Sequence, residues 1–159
     1  MLAHDTHHRA VENLIYEWAR RIDENQVESI CDLLDPNGRY TITSRFNHDR
    51  GLPLSIVDAK SAAQLRDRIL SMRVANIYEP HHYRHILSGV QIVGGDPQAL
   101  EVRSNFLVIR TMDLTGETKL FITGQAQDVV DVTGTSPRFV SRRFVYDSRA
   151  IETLLVIPL

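Results

Sequence analysis

Apolar residues in the first third of the chain recur at three- and four-residue steps. Val11, Leu14, Ile15, Trp18 and Ile22 therefore fall on one stripe of a helix, because 3.6 residues per turn bring such positions to the same side. Asp5 or Thr6 stands where an N-cap is needed. A second, shorter helix follows, with Val27, Ile30, Leu33 and Leu34 on one side. Asp35-Pro36-Asn37-Gly38 is expected to stop it, since each of these residues favours a turn. Residues 39–46 alternate with a period of two, which predicts a strand with Tyr40 and Ile42 on one face and Thr41 and Thr43 on the other. Residues 47–51 read as a polar loop. Residues 61–72 read as a third helix carrying Ala62, Leu65, Ile69 and Met72, with Ser61 as its cap.

The second half is strand-rich. Residues 83–93, 100–111, 119–132 and 139–147 are each long enough to be strands. Their links (94–97, 114–116 and 133–137) are short and rich in turn residues, which implies antiparallel neighbours. Helices followed by a run of strands predict an α+β fold: a curved antiparallel sheet with the N-terminal helices on one face.

Both faces of these strands carry apolar groups. Leu100, Val102, Phe106 and Val108 oppose Leu107 and Ile109. Leu120, Ile122 and Ala126 oppose Phe121 and Val129, and Val140 and Phe144 oppose Phe139 and Val145. The second face is mixed, with Asn105, Thr123, Gln125 and Arg143 among its apolar residues. A face of this kind is expected to pack on a partner chain or a ligand. Strong sheet twist, burying parts of both faces within one chain, is the simpler alternative.

Composition narrows the function classes. The 159 residues predict one domain. Eighteen Lys+Arg against 20 Asp+Glu give a net charge of −2, with no basic run, so no nucleic-acid partner is expected. No apolar stretch approaches a membrane span, and the N-terminal sequence does not read as a signal peptide. The single cysteine, Cys31, agrees with a reducing compartment, and a cytoplasmic location is expected. One cysteine also cannot supply the paired thiolates of a Cys-rich zinc site or an iron–sulfur cluster.

Candidate chemistry is sparse. Tyr78-Glu79-Pro80-His81-His82-Tyr83-Arg84-His85 holds three of the seven histidines, but a strand would point His81 and His82 to opposite faces. No metal site is expected there. His4, His7 and His8 have helical spacing near the N-terminus and read as solvated surface. A pocket between helices and sheet could instead host acid–base chemistry, with Tyr16, Asp23, Tyr40, Tyr83 and His85 as candidates. Each also has a structural reading, as a strand aromatic, a helix-end carboxylate or a satisfied strand histidine. No Gly-x-Ser-x-Gly nucleophile motif or glycine-rich phosphate loop occurs. Arg142 and Arg143 fall on opposite faces of their strand, so one can ion-pair internally while the other faces out.

The order helix, helix, strand, helix and strand run resembles the small (beta) subunit of Rieske-type aromatic-ring-hydroxylating dioxygenases. Within that family it is similar to the branch associated with aromatic acids such as terephthalate and salicylate. The similarity covers nearly the whole chain. It is carried by Ala75-Asn76-Ile77-Tyr78-Glu79, Tyr83-Arg84-His85-Ile86-Leu87, Asn47-His48-Asp49-Arg50-Gly51-Leu52, Leu120-Phe121-Ile122-Thr123-Gly124 and residues 147–148 and 153–159. None of these is a catalytic motif. One departure is Arg142-Arg143-Phe144-Val145-Tyr146-Asp147, where the family strand has Arg-Arg-Val-Val-Leu-Asp.

The resemblance implies a nuclear-transport-factor-like, cystatin-like cone. It also implies a non-catalytic structural role beside a large (alpha) subunit holding the Rieske cluster and mononuclear iron, in an α3β3 assembly with trimeric self-association. No cofactor is expected in this chain. Tyr83, Arg84, His85 and Arg143 are the expected interface residues. The alternative is a stand-alone isomerase, dehydratase or binding protein on the same cone, using the five pocket candidates above.

Overall fold

The computed structural model describes residues 2–75 (backbone alone for 2–5), 78–151, 155 and 157–159. Parts of two stretches that carry the resemblance, at 76–77 and within 152–156, lie outside the described residues.

Helix α1 spans Leu2–Asp23, so neither Asp5 nor Thr6 caps it. Its predicted stripe is buried throughout. A 3-10 helix, Val27–Leu33, follows and buries Val27, Ile30 and Cys31. Strand β1 is Leu34–Ser44. The residues expected to end the second helix lie inside this strand, as a bulge: Leu34 pairs with Phe139, and pairing resumes at Arg39 with Ser141. The turn chemistry is present, since the Asn37 N–H donates to Asp35 Oδ1 at 2.9 Å. The extra residues loop out of the strand rather than redirecting the chain. Gly38 makes this possible, because a Cβ there would stand 2.8 Å from Leu34 Cγ and 2.9 Å from the Phe139 carbonyl oxygen.

Residues 45–49, expected as strand end and loop, form a short helix α2 (Arg45–Asp49), whose Asn47 N–H is accepted by the Ser44 hydroxyl. Polar residues favour a loop there, but a Ser44 hydroxyl that accepts the N–H three residues on also starts a helix. Strand β2 (Val57–Ala59), too short to show a pattern, pairs antiparallel with β1. Helix α3 is Ala62–Ala75, with the Ser61 hydroxyl accepting from the Gln64 N–H at 3.2 Å, as predicted. Strands β3 (His81–Gly94), β4 (Leu100–Met112), β5 (Thr118–Asp131) and β6 (Arg138–Tyr146) follow the expected meander.

The six strands form one sheet in the order β2-β1-β6-β5-β4-β3. All neighbours are antiparallel except β1 and β6, which pair in parallel. Helix α1 packs on β3 and α3 on β1, so the helices cover one face and span the sheet from end to end. The core between them centres on Trp18, stacked on Tyr40 with ring centroids 5.5 Å apart and edge-on to Phe139 at 5.5 Å.

Two bulges overturn the strict alternation predicted for β5 and β6. Ile122 pairs with Val108 but Leu120 pairs with Ile109, so Phe121 is the extra residue. Phe121 turns inward and stacks on Tyr83, leaving Leu120 60% exposed on the outer face. In β6, Val129 pairs with Ser141 and Val130 with Phe139, making Val140 the extra residue. Phe139 and Phe144 are consequently both in the core. A bulge shifts side-chain parity by one, and no alternation rule anticipates it.

Candidate functional site

Helix α1 ends in a pair of hydrogen bonds that fix its last side chain. Asn25 takes a left-handed conformation (φ 60°), its N–H donates to the Ile22 carbonyl, and the Gln26 N–H donates to that of Arg21. This is the Schellman pattern, which Asn tolerates better than other non-glycine residues. It presents Asp23 to the edge strand β3. Asp23 Oδ2 accepts from the backbone N–H of His85 at 3.0 Å, and Oδ1 contacts His85 Nδ1 at 2.6 Å. The two side chains are 7% and 1% exposed. With Nδ1 facing a carboxylate oxygen, that nitrogen carries a proton and donates it to Asp23. Nε2 is sealed from solvent and has no hydrogen-bond partner among the described residues.

Two of the predicted pocket residues, 62 positions apart, are therefore partners. Around them lies a ladder of rings on the inner face: Tyr78, His81, Tyr83 and His85 follow one another at 5.6, 5.3 and 6.2 Å. Asp23 borders a cavity of about 250 Å³ that also includes Tyr78, His81 and Tyr83. On its other side, a groove of about 400 Å³ runs between α1 and β3, with Tyr16 and Ile86 on its walls.

Tyr40 is the third pocket candidate to be buried. Its hydroxyl donates to the Leu159 backbone oxygen and accepts from the Leu159 N–H, both at 3.0 Å. Trp18 Nε1 donates to the same oxygen at 2.8 Å. Burial pushes the Tyr40 and Tyr83 hydroxyls above their ordinary range, so both stay protonated at neutral pH. Tyr16 is 46% exposed on the groove wall. The pocket candidates thus divide into a buried tie (Asp23–His85), a buried anchor (Tyr40), a buried ring in a ladder (Tyr83) and a surface aromatic (Tyr16). General acid–base catalysis needs a group within hydrogen-bond reach of a substrate, and the free nitrogen of the Asp23–His85 pair is sealed.

The four expected interface residues also divide. Tyr83 and His85 face the core, whereas Arg84 and Arg143 lie exposed on the outer face. Arg142, beside Arg143, points inward as the alternation of faces implies. Its Nη1 donates to Asp128 Oδ2 at 2.9 Å, with both side chains at most 1% exposed. Its guanidinium lies 4.3 to 5.1 Å from the ring centroids of Phe139, Phe144 and Trp18. Burial raises the Asp128 carboxyl to about 6, against the pull of Arg142, and lowers Arg142. Sequence reading missed Asp128 as the partner; the detectable signal was a carboxylate on an otherwise apolar inward series, Ala126, Asp128, Val130.

The one thiol does not suit a metal cluster. Cys31 is buried, and burial raises its pKa to about 11, so it holds its proton at neutral pH. A Rieske centre needs two thiolates and two imidazoles, and the sequence holds one cysteine. Among the described residues, no three His, Cys, Asp or Glu side chains are grouped to hold a metal, and no helix is long and apolar enough to cross a membrane.

A half-cone of sheet closed by α1 and α3 is the fold of nuclear-transport-factor-like, scytalone-dehydratase-like α+β proteins. The chain belongs to the ring hydroxylating beta subunit family, whose model matches residues 17–153. It is 38% identical over 142 residues to subunit beta 2 of the terminal oxygenase component of terephthalate 1,2-dioxygenase from Comamonas sp. (89% of this chain, 92% of that one). It is 35% identical over 138 residues to the anthranilate 1,2-dioxygenase small subunit of Burkholderia cepacia (87% and 85%). A crystal structure from Novosphingobium aromaticivorans, described as the beta subunit of an aromatic-ring-hydroxylating dioxygenase, superposes with a TM-score of 0.89 at 27% identity and covers 99% of each chain.

Proposed function

We propose that the chain is the structural, non-catalytic small subunit of a Rieske non-haem iron oxygenase that hydroxylates an aromatic acid. The carrying observation is a beta-subunit family match over residues 17–153 in a chain whose only cysteine is a buried, protonated thiol. The iron–sulfur cluster and the mononuclear iron belong to a large partner subunit. This chain's contribution is to hold the catalytic subunits in register and to keep water out of the seams between them. The anthranilate and terephthalate relatives favour an aromatic acid as substrate without choosing between them. The assembly we propose is α3β3 in the cytoplasm, with the small subunits forming a trimer.

Co-expression with the cognate large subunit tests the reading. A stable complex is expected, while the small subunit purified alone is expected to have no visible iron–sulfur absorbance and no oxygenase activity. Separate elution of the two chains at micromolar concentration would defeat the proposal.

A further inference from the structure

The outer face of the sheet has two differently built halves. Around Thr43 of β1 and Val145 of β6 it is covered by residues 45–56: Thr43 donates to the Leu54 carbonyl at 2.7 Å, and Thr43 and Val145 are buried there, whereas Arg143 of β6 is exposed. Over β3, β4 and β5 it is open. Cross-strand register places Ile86 beside Leu107, and Arg84, Ile109 and Leu120 in the next row, giving an apolar patch in which Ile86 is 52% exposed. Four residues along β4 from Leu107, a second row crosses the sheet: Arg103, Gln127, Arg143 and Thr41 are successive register partners.

That second row is an array of donors. Arg103 and Arg143 stand two strands apart, about 10 Å at the backbone, close enough for both guanidinium groups to converge over Gln127. No ion pair or side-chain hydrogen bond is made by either guanidinium among the described residues. His48 Nε2 lies 3.1 Å from Gln127 Oε1, which occupies the carbonyl end of the amide and leaves its NH2 to the row. The row lies in a shallow basin of about 280 Å³ that also takes in Ser141 and Arg39. Arg39 is already paired with Asp58, and Glu101 is the one exposed carboxylate in the basin, so positive charge remains in excess.

We infer that the Arg103–Gln127–Arg143 row is a docking site for acidic side chains of the large oxygenase subunit. The inference rests on the small-subunit reading above. Charge complementarity selects carboxylates, which guanidinium groups bind in paired, planar fashion. Continuity with the apolar patch on the same open face selects a protein surface over a small acid, since small-molecule sites are enclosed and mostly apolar. A two-fold pairing of this face with a second copy would set the two cationic rows in one interface, where like charges repel.

The test is a binding titration of the intact chain with its large subunit, for wild type, Arg103→Glu/Arg143→Glu and Gln127→Glu. All three positions lie on the outer face, so the circular dichroism and melting temperature of the small subunit alone are expected to stay unchanged. Each variant is expected to bind at least about tenfold more weakly, and the wild-type affinity to fall with added salt. Affinities within twofold of wild type overturn the inference and leave the small-subunit reading intact. Loss of self-association with large-subunit affinity retained also overturns it, assigning the face to contacts between copies. Saturable shifts of the Gln127 amide with millimolar acetate, combined with unchanged subunit affinity, overturn it in favour of a free carboxylate. If the wild-type chain does not bind the large subunit, the small-subunit reading itself fails.

Discussion

Asp23 accepts two hydrogen bonds from a single residue, the backbone N–H and the ring Nδ1 of His85. Strand β3 is the edge of the sheet, and an unpaired edge N–H is a template for unwanted strand addition. Asp23 occupies that N–H with a carboxylate and locks the imidazole with the same group. Asp23→Ala leaves two donors unsatisfied in a largely buried place, with an expected loss of about 2–4 kcal/mol. Asp23→Asn, which keeps one acceptor oxygen, should lose less. Urea denaturation checks both; an Asp23→Ala chain within about 0.5 kcal/mol of wild type would refute this role.

Both members of this pair stood out in the sequence, yet their partnership did not. Asp23 ends a helix and His85 lies in a strand 62 residues later, and the contact exists only because α1 lies along the sheet edge. The helix stripe, the Ser61 cap and the four-strand meander were legible because they follow local periodicity. The bulges at Phe121 and Val140 were not, since one extra residue is invisible to a pattern of twos. The closing of β1 onto β6 was equally hidden, because short links suggest antiparallel neighbours and say nothing of strands a hundred residues apart.

Tyr40→Phe tests the anchoring of the chain's last described residues. The substitution keeps the ring stacked on Trp18 but removes both hydrogen bonds to Leu159, whose side chain is fully buried. An expected destabilisation of about 1–3 kcal/mol should appear with faster amide exchange at Leu159. Unchanged exchange would show that burial alone holds the segment.

The Arg142–Asp128 pair should behave non-additively. Arg142→Met leaves a carboxylate buried without its cation, at an expected cost of about 3–5 kcal/mol. The double change Arg142→Met/Asp128→Leu removes both charges, including the unpartnered Oδ1 and Nε, and should be less destabilising than Arg142→Met alone. A thermodynamic cycle by chemical denaturation measures the coupling. Additive losses would mean that the ring contacts of Arg142, rather than its charge, carry its effect.

Acid should loosen the helical side of the molecule first. Hydrogen bonds from Arg20 and then Arg21 lower Glu17 to about 2 from an ordinary 4.5. Arg73 likewise lowers Glu28, and Arg39 lowers Asp58. A carboxylate whose folded-state pKa is depressed contributes stability above its unfolded pKa and loses it as the pH falls. For Glu17 the window runs from about pH 4.5 down to about 2. Asp128, raised by burial to about 6, acts in the opposite direction as the pH drops through that value. Urea midpoints across this range should therefore fall less steeply for Glu17→Gln than for wild type; parallel curves would rule out this contribution.

The parallel pairing of β1 with β6 also governs when the molecule can become itself. Strand β1 has only the three-residue β2 on one side until residues 138–146 emerge from the ribosome to fill the other. Trp18 and Tyr40, both made early, likewise wait for Phe139 and Phe144, made late. Contacts of such sequence separation slow folding, because loop closure must precede their reward. Until that strand pairs, Trp18 and Tyr40 lack these ring neighbours. An assembly surface that spans β1 and β6 is complete only once residues 138–146 have paired with β1.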